Sequence, residues 1–292
     1  MGCDAVTVLV SSFDAGRRDW RMGAGPQQIL ATGLLEVLAA DGVDTRSIEI
    51  EARDALPSEL SRGFAVQREI ADATADALSE GRLPILLSGD CNSSLGVVAG
   101  AQRNGASPAF VWCDAHADFH TPETDRFGSL DCQGLAMLTG RAWEGLVRET
   151  GLRPLPDSHV ALVGARAVDP EEEVALTASG MTRLAVAEVA NERKRDNILG
   201  GLMASGATSV HLHVDADVLD SGIAPANDYA VPGGLQLEEL LGLFVETISR
   251  LPLGSLSIAS YDPRLDADRA LARALVDVIR RVVRFGDDAG AS

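Results

Sequence analysis

Two short acidic motifs are the most informative chemical features of the sequence. The motif WCDAHAD places Asp114, His116 and Asp118 at alternating positions. Alternating side chains of a strand point to one face, so these three are expected to project together. Farther along the chain, HVDADVLD repeats the spacing with Asp215 and Asp217. Carboxylate oxygens with an imidazole suit a divalent ion such as Mn²⁺, and two such strand ends can hold two ions.

A third acidic segment, GDCN, follows the apolar run LPILLS and adds the thiol of Cys91 to the candidate ligands. Acidic residues after a strand also act as helix N-caps or turn residues, so each motif alone has a structural explanation. The metal interpretation is favoured because several carboxylates that converge without a cation repel one another strongly. For Cys91, the alternative is a small buried residue in a half-site that no longer binds metal.

The elements that must position these motifs alternate along the chain. The predicted strands span residues 6–11, 84–87, 109–113, 159–163, 209–214 and 253–260, and the clearest predicted helices span 27–40, 62–78, 237–250 and 266–282. Strands that are apolar on both faces and alternate with helices predict a parallel sheet covered on both sides. Ligands bind beyond the carboxyl ends of such strands, where all three acidic motifs lie.

Composition narrows the class of protein. With 292 residues, 46% of them hydrophobic, and no linker or repeat, the chain is predicted to form one α/β domain over residues 1–292. The net charge of −18 argues against nucleic acid as a partner, because a phosphate-binding face needs clustered Lys and Arg. No signal-like N-terminus or long apolar run is present, so a cytoplasmic protein without membrane contact is expected. The four cysteines lack CxxC spacing and are predicted to be reduced thiols.

Together, these motifs resemble the ureohydrolase family, which includes arginase, agmatinase and formimidoylglutamase. The matching segments are GAGP from residue 23, SGD from 88, DAHADFHTPET from 114, GARAVDPEE from 164 and HVDADVLD from 213. The resemblance implies a three-layer α/β/α sandwich with a mostly parallel central sheet, assembled as a homotrimer or homohexamer. It also implies a binuclear manganese centre that activates a hydroxide to hydrolyse C–N bonds of linear guanidines or amidines.

By position, the resemblance implies six metal ligands: Cys91, Asp114, His116, Asp118, Asp215 and Asp217. Asp114 and Asp215 would bridge two Mn²⁺ ions. His116 and Asp217 would complete the coordination of one ion, and Asp118 and Cys91 would complete that of the other. Asp118 would also hold the nucleophile and pass its proton toward the leaving amine. Since a thiolate favours softer metals, Zn²⁺ or another divalent ion is the alternative to Mn²⁺.

The sequence departs from the family at positions that face the substrate. Asp131 stands where arginases have a proton-shuttling histidine, so proton transfer is predicted to pass through a carboxylate. Ser260 stands where guanidine hydrolases usually have a glutamate that pairs with the guanidinium. Asp169 and Glu172 align with anchors for a substrate amine. His120 replaces an amide in the loop that fixes the substrate carboxylate, with the alternative that it only caps the following turn.

The sequence therefore predicts a metal-dependent hydrolase of a linear amidine or guanidine other than plain arginine. The alternative is a catalytically silent, metal-binding relative that acts as a subunit or sensor in a family oligomer, because several usual residues are replaced. The enzyme is favoured, since a protein without chemistry to perform has little reason to keep so many mutually repelling carboxylates.

Overall fold

The structure, a computed structural model, describes residues 4–290 and the side chains of residues 4–285. The strands are Ala5–Ser11 (β1), Phe13–Asp14 (β2), Arg17–Arg18 (β3), Asp44–Glu49 (β4), Leu83–Ser88 (β5), Pro108–Cys113 (β6), Val160–Val163 (β7), Thr182–Leu184 (β8), Ser209–Asp215 (β9) and Leu253–Ala259 (β10). The helices are Gly25–Ala31 (α1), Leu34–Ala40 (α2), Glu59–Ser79 (α3), Ser94–Arg103 (α4), Gly134–Leu138 (α5), Glu144–Glu149 (α6), Pro170–Ala178 (α7), Val186–Val189 (α8), Glu192–Ala204 (α9), Leu237–Arg250 (α10) and Ala270–Gly290 (α11).

Eight strands form one sheet in the order β4-β1-β5-β10-β9-β6-β7-β8. Every neighbouring pair in this sheet is parallel, which confirms the predicted α/β class. β2 and β3 form a separate antiparallel hairpin. All residues of β5 and β6 are buried, which explains why both strands consist almost entirely of apolar residues.

Helices cover both faces of the sheet and give the three layers that the family resemblance implies. On one face, Val8 of β1 belongs to the same buried cluster as Leu38 of α2 and Leu240 of α10. On the other face, Trp112 of β6 packs in a cluster with Leu95 of α4. Alternate residues of each strand therefore enter different layers, as the period of a strand requires.

Most predicted boundaries differ from the structure by one to four residues, and three of the differences have a clear local reason. The predicted helix over residues 27–40 is two helices, because Gly33 adopts a left-handed φ of 95° between α1 and α2. The predicted helix from residue 266 begins instead at Ala270, whose backbone N–H donates to the Asp266 side chain. The predicted strand from residue 159 begins at Val160, because residues 157–159 form a 3₁₀ turn.

The state of the cysteines and the lack of a membrane-spanning helix were also predicted from the sequence. In the described part of the chain, Cys91, Cys113 and Cys132 are free thiols, as predicted, while Cys3 lies outside the described residues. No helix among the residues described is both long and apolar enough to cross a membrane.

Candidate metal centre

The carboxyl ends of four neighbouring strands meet at one edge of the sheet. β5 leads into Cys91, β6 into Asp114 and β10 into Ser260, while β9 ends at Asp215. In the sheet, β10 and β9 lie between β5 and β6, so these strand ends are adjacent although they are distant in sequence. The strand order therefore brings all three acidic motifs to one place.

Asp114, His116 and Asp217 form one candidate metal-binding group, with ligand atoms within 4.8 Å of one another. Nδ1 of His116 lies 3.5 Å from Oδ1 of Asp114 and 3.3 Å from Oδ2 of Asp217. Burial disfavours a charged ring, but the two carboxylates outweigh it and raise the pKa of His116 to about 11. Burial likewise opposes ionisation of Asp217, yet the His116 ring lowers its pKa to about 2. The carboxylates of Asp114 and Asp217 therefore stabilise a positive charge that lies between them.

Two further groups share one thiol: Cys91 with Asp114 and Asp215, and Cys91 with Asp118 and Asp131. Cys91 is buried, and its Sγ donates a hydrogen bond to Oδ2 of Asp215 over 3.0 Å. Burial and the nearby carboxylates, first that of Asp215, raise the pKa of the Cys91 thiol well above its usual range. The three groups overlap at Cys91 and Asp114, as two adjacent ions with shared ligands require.

The donor set fits two divalent ions. Burial, reinforced by neighbouring carboxylates, raises the pKa values of Asp114, Asp118 and Asp215. Such a cluster of buried carboxyl groups is costly in the ionised form unless cations compensate it. The group around His116 offers only oxygen and nitrogen ligands, which suit Mn²⁺, whereas the groups that include Cys91 add a sulfur ligand that suits Zn²⁺.

Neutral hydrogen-bond donors orient the ligands. The indole N–H of Trp112 donates to Oδ2 of Asp114 over 2.9 Å. The amide of Asn227 donates to Oδ2 of Asp217 over 3.2 Å and to the carbonyl oxygen of Ser260 over 3.0 Å. Such contacts fix the direction of a ligand's lone pairs. The sequence prediction missed both donors, because neither Trp112 nor Asn227 belongs to a spacing pattern of ligand types.

Asp131 lies with the metal-ligand candidates. Its Oδ1 accepts the backbone N–H groups of Cys91, over 2.7 Å, and of Asn92, over 3.2 Å. Burial outweighs these bonds and raises the pKa of Asp131 to about 7. Its role in proton transfer remains a prediction, and its closeness to Cys91 and Asp118 makes it a further candidate ligand, which the sequence did not indicate.

A pocket of about 520 Å³ opens onto these groups. Six predicted site residues line it: His116, Asp118, Asp131, Asp215, Asp217 and Ser260. Cys91 and Asp114 are fully buried. Polar and aromatic residues that the sequence motifs did not indicate also line the pocket, among them Asp14, Arg21, Glu59 and Tyr229.

The comparisons with known proteins agree with this fold and site. The model of the arginase family matches residues 5–284. The chain belongs to the arginase family. Members of this family are ureohydrolases, which act on linear amidines and typically bind a manganese pair.

Individual relatives share a quarter to a third of their residues with the chain. Human "Arginase-2, mitochondrial" is 28% identical over 301 residues, covering 94% of this chain and 83% of that protein. The arginase of Neurospora crassa is 33% identical over 256 residues, covering 80% and 71%. The crystal structure of arginase from Bacillus subtilis has the same fold, with a TM-score of 0.86, 24% identity, and coverage of 96% of this chain and 98% of that one.

In this arginase-family chain, the predicted amine anchors lie in a separate cluster in which Glu172 is buried and Asp169 is half exposed. The two carboxylate oxygens of Glu172 accept the backbone N–H groups of Phe119, over 2.9 Å, and Asp169, over 3.0 Å, at the start of α7. His120 is 4% exposed, with Nε2 3.2 Å from Oδ2 of Asp169 and Nδ1 3.2 Å from Oγ1 of Thr124. None of the three predicted anchors lines the described pocket. Their role in substrate binding stays a prediction, and Glu172 caps a helix.

Ser260 lines the pocket but offers only a hydroxyl group there. Its backbone has a left-handed φ of 60°, and its Oγ lies 3.2 Å from Sγ of Cys91. The next carboxylate along the chain, that of Asp262, accepts hydrogen bonds from the guanidinium of Arg264, including one of 2.9 Å from Nε. This carboxylate is therefore already paired with a cation of the protein.

Proposed function

We propose that this arginase-family protein hydrolyses a C–N bond of a linear amidine or guanidine at a binuclear metal centre. The supporting observation is the set of three overlapping ligand groups that share Cys91 and Asp114 and adjoin one pocket. Two divalent ions, Mn²⁺ or Zn²⁺, would supply a hydroxide nucleophile at neutral pH and stabilise the negative charge that develops in the transition state.

The side chains of the centre have separate roles in this proposal. Asp114 and Asp215 would each be shared between the two metal ions, His116 and Asp217 would hold one ion, and Cys91 and Asp118 would hold the other. Asp118 borders the pocket, so its carboxylate also orients the nucleophile and transfers a proton to the leaving nitrogen.

The residue Asp131 is the second proton carrier in the proposal. It borders the same pocket and lies beside Cys91 and Asp118, so its carboxylate is placed to exchange a proton with a group bound there.

The proposed substrate is an amidine or a modified guanidine, not plain arginine. A guanidinium ion binds best to a carboxylate that accepts two parallel hydrogen bonds. Ser260 has no carboxylate, and that of Asp262 is paired with Arg264. A reactive end that carries a hydroxyl or formimino group relies less on such a bidentate ion pair.

The location, assembly and domain organisation of the protein are proposed as the sequence predicts them. The protein would be a cytoplasmic homotrimer or homohexamer in which residues 1–292 form a single domain. Light scattering after size exclusion tests the assembly, and a monomer at micromolar concentration would remove that part of the proposal.

A turnover panel tests the proposed reaction. The protein is reconstituted with Mn²⁺ or with Zn²⁺, and release of urea and of ammonia is measured with guanidines, hydroxyguanidines and formimino compounds. Turnover of one panel member is expected. Full metal loading without turnover across the panel would instead indicate the catalytically silent relative.

A further inference from the structure

A buried amide on α3 connects that helix to the turn after β5. Gln67 is fully buried, and its Nε2 donates a hydrogen bond to Oδ1 of Asn92 over 3.0 Å. Among the described residues, Oε1 of Gln67 is buried without a hydrogen-bond partner. A buried acceptor without a partner costs about 1–3 kcal/mol, whereas an apolar side chain of the same shape avoids this cost. The stability of the fold therefore does not explain the amide at position 67.

The amide of Asn92 links Gln67 to Asp131. Its Nδ2 donates to Oδ1 of Asp131 over 3.3 Å, so both ends of the amide are engaged. An ionised carboxylate only accepts hydrogen bonds, so Nδ2 of Asn92 has to face Asp131, and Oδ1 of Asn92 then faces α3. Gln67 supplies the donor for that oxygen and keeps the Asn92 amide from turning over.

The hydrogen bonds also distinguish the two oxygens of Asp131. Oδ1 accepts the Asn92 side chain and the backbone N–H groups of Cys91 and Asn92, whereas Oδ2 accepts none from the described residues. An oxygen with three donors has no free lone pair, so a proton that Asp131 carries resides on Oδ2. Asp131 borders the pocket and forms a candidate ligand group with Cys91 and Asp118. Its free oxygen is therefore the one that exchanges protons there.

The same face of α3 holds the segment that precedes Asp131. Oε1 of Glu59 accepts the backbone N–H of Leu130 over 2.8 Å, and a Cβ at Gly63 would lie 2.7 Å from Cδ2 of Leu130. Glu59, Gly63 and Gln67 follow one another at intervals of four and so lie on one side of the helix. One helix face therefore contacts both this segment and the turn after β5.

We propose that Gln67 and Asn92 are positioning residues, which fix the Asp131 carboxylate to the turn of Cys91 and leave Oδ2 free to exchange a proton. This inference rests on the proposed function, because it assigns what orients the second proton carrier of the same site. The two amides act through Asp131 and the turn, since neither belongs to a candidate ligand group of the described residues.

Co²⁺ in place of the proposed metals gives a readout that does not require turnover. A thiolate bound to Co²⁺ produces a charge-transfer band in the near ultraviolet, which reports the ion held by Cys91. Elemental analysis after dialysis at each Co²⁺ concentration reports all bound ions. The band is expected in the wild type and not in C91S. A wild-type protein that binds Co²⁺ without this band, or a band that persists in C91S, would overturn the proposal.

The variant Q67M keeps the length of the side chain and removes the donor to Asn92. The Co²⁺ concentration that gives half of the band is expected to rise about tenfold or more, as when other groups that orient metal ligands are lost. The ion held by the group around His116 is expected to keep its wild-type affinity. An unchanged band titration in Q67M, or an equal loss at both ions, would overturn the proposal.

Variants of Asn92 test the order of the relay. N92A removes both the acceptor of Gln67 and the donor to Asp131, so its loss of Co²⁺ affinity should be at least that of Q67M. Because Gln67 acts through Asn92, the double variant should bind Co²⁺ as N92A does. Losses that add would contradict the relay. If Q67M does not fold, N92A carries the test, and an unchanged band titration in N92A would overturn the proposal.

Gln102 is a matched buried amide outside the site. It lies on α4, and its side chain donates to and accepts from the backbone of Arg153, over 2.8 Å in both cases. Q102M loses two hydrogen bonds and Q67M loses one, so Q102M should be the less stable variant in urea and still give the wild-type band titration. An equal shift in Q102M and Q67M would show that the effect is only structural and would overturn the proposal.

The outcomes separate the relay from the proposed reaction. If the substrate panel shows no turnover while the band titration follows Gln67 and Asn92, the reaction fails and the positioning of Asp131 and Cys91 stands. If turnover is found but Q67M and N92A leave the band titration unchanged, the relay fails and the reaction stands.

Discussion

At the residue scale, the proposed metal preference depends on Cys91, because it offers the only sulfur atom among the candidate ligand groups of the described residues. The thiol is buried among carboxylates that raise its pKa, so it ionises only when a cation compensates the charge. We predict that C91H shifts the bound metal toward Mn²⁺ when Mn²⁺ and Zn²⁺ compete at equal concentration, as measured by elemental analysis. C132S is the control, since Cys132 lines the pocket but belongs to none of these groups. An unchanged ratio in C91H would remove Cys91 from the ligands.

Trp112 acts through the Asp114 carboxylate that it touches. Replacing it with Phe removes the N–H donor at Oδ2 of Asp114 and keeps most of the ring packing. We predict a metal affinity about 10- to 100-fold lower, measured by metal titration with a competing chelator. W143F is the matched control, because the indole of Trp143 also donates one hydrogen bond, to Gln133 over 2.7 Å, outside the ligand groups. Equal losses in W112F and W143F would show that the effect is only structural.

At the scale of secondary-structure elements, the turn after β5 places Cys91 among the candidate metal ligands. A Cβ at Gly89 would lie 2.7 Å or less from backbone atoms of Phe13 and Gly23, so backbone has to move to accommodate it. We predict that G89A lowers the free energy of unfolding by about 1–3 kcal/mol, as overpacking does, and lowers metal content. Urea unfolding and elemental analysis measure the two effects.

A second glycine provides the control for that substitution. Gly200 lies within α9, and a Cβ there meets nothing within 4 Å. G200A should raise stability by about 0.5–1 kcal/mol, because alanine is the better helix former. Equal effects of G89A and G200A would mean that the close approach at Gly89 does not constrain the turn.

The local sequence pattern predicted the strands that carry the candidate metal ligands, and the structure explains why other elements were missed. The strands β5 and β6 are nearly continuous apolar runs, β9 is a buried strand interrupted by His211 and His213, and the carboxylates at the ends of β6 and β9 follow a regular spacing. By contrast, α4 is buried on almost every side and shows no amphipathic period, while β4 is an edge strand with largely polar residues. The sequence pattern therefore indicates neither the helix α4 nor the strand β4.

The remaining parts of the site depend on long-range pairing that a single sequence does not encode in any local spacing. Asn227 contacts Asp217 across a loop, and Asp14 reaches the pocket from a hairpin near the N-terminus. The predicted anchor Glu172 follows a recognisable motif, yet the structure uses both of its oxygens to bind backbone N–H groups. A residue type at a family position therefore indicates a contact but does not identify the partner.

At the scale of the whole molecule, one ion pair links three separate segments. Both Nη atoms of Arg141 donate to the carboxylate of Asp157 over 2.8 Å, and the backbone N–H of Gly180 donates to it over 3.0 Å. The hydrogen bonds from Arg141 hold the pKa of Asp157 below its usual value, although burial opposes this. A lowered pKa contributes stability above about pH 4, which is lost as pH falls through the pKa of the folded state.

We therefore predict a pH-dependent effect of D157N on stability. Because the pair is partly exposed, the free energy of unfolding should fall by only about 0.3–1 kcal/mol at pH 7. The difference should shrink toward zero near pH 3, as urea unfolding at both pH values would show. D268N is the control, since the exposed Asp268 side chain forms no ion pair in the described chain. A D157N effect that grows on acidification would contradict the sign of the pKa shift.

The binuclear centre itself is tested most directly by the metal-to-protein ratio. Wild-type protein and D114N are loaded with Mn²⁺, desalted and measured by elemental analysis, with folding checked by circular dichroism. Two ions per chain are predicted for the wild type and one or fewer for D114N, because Asp114 belongs to two of the overlapping ligand groups. A ratio of one or zero in the loaded wild type, or a ratio of two in D114N, would contradict the shared two-metal site.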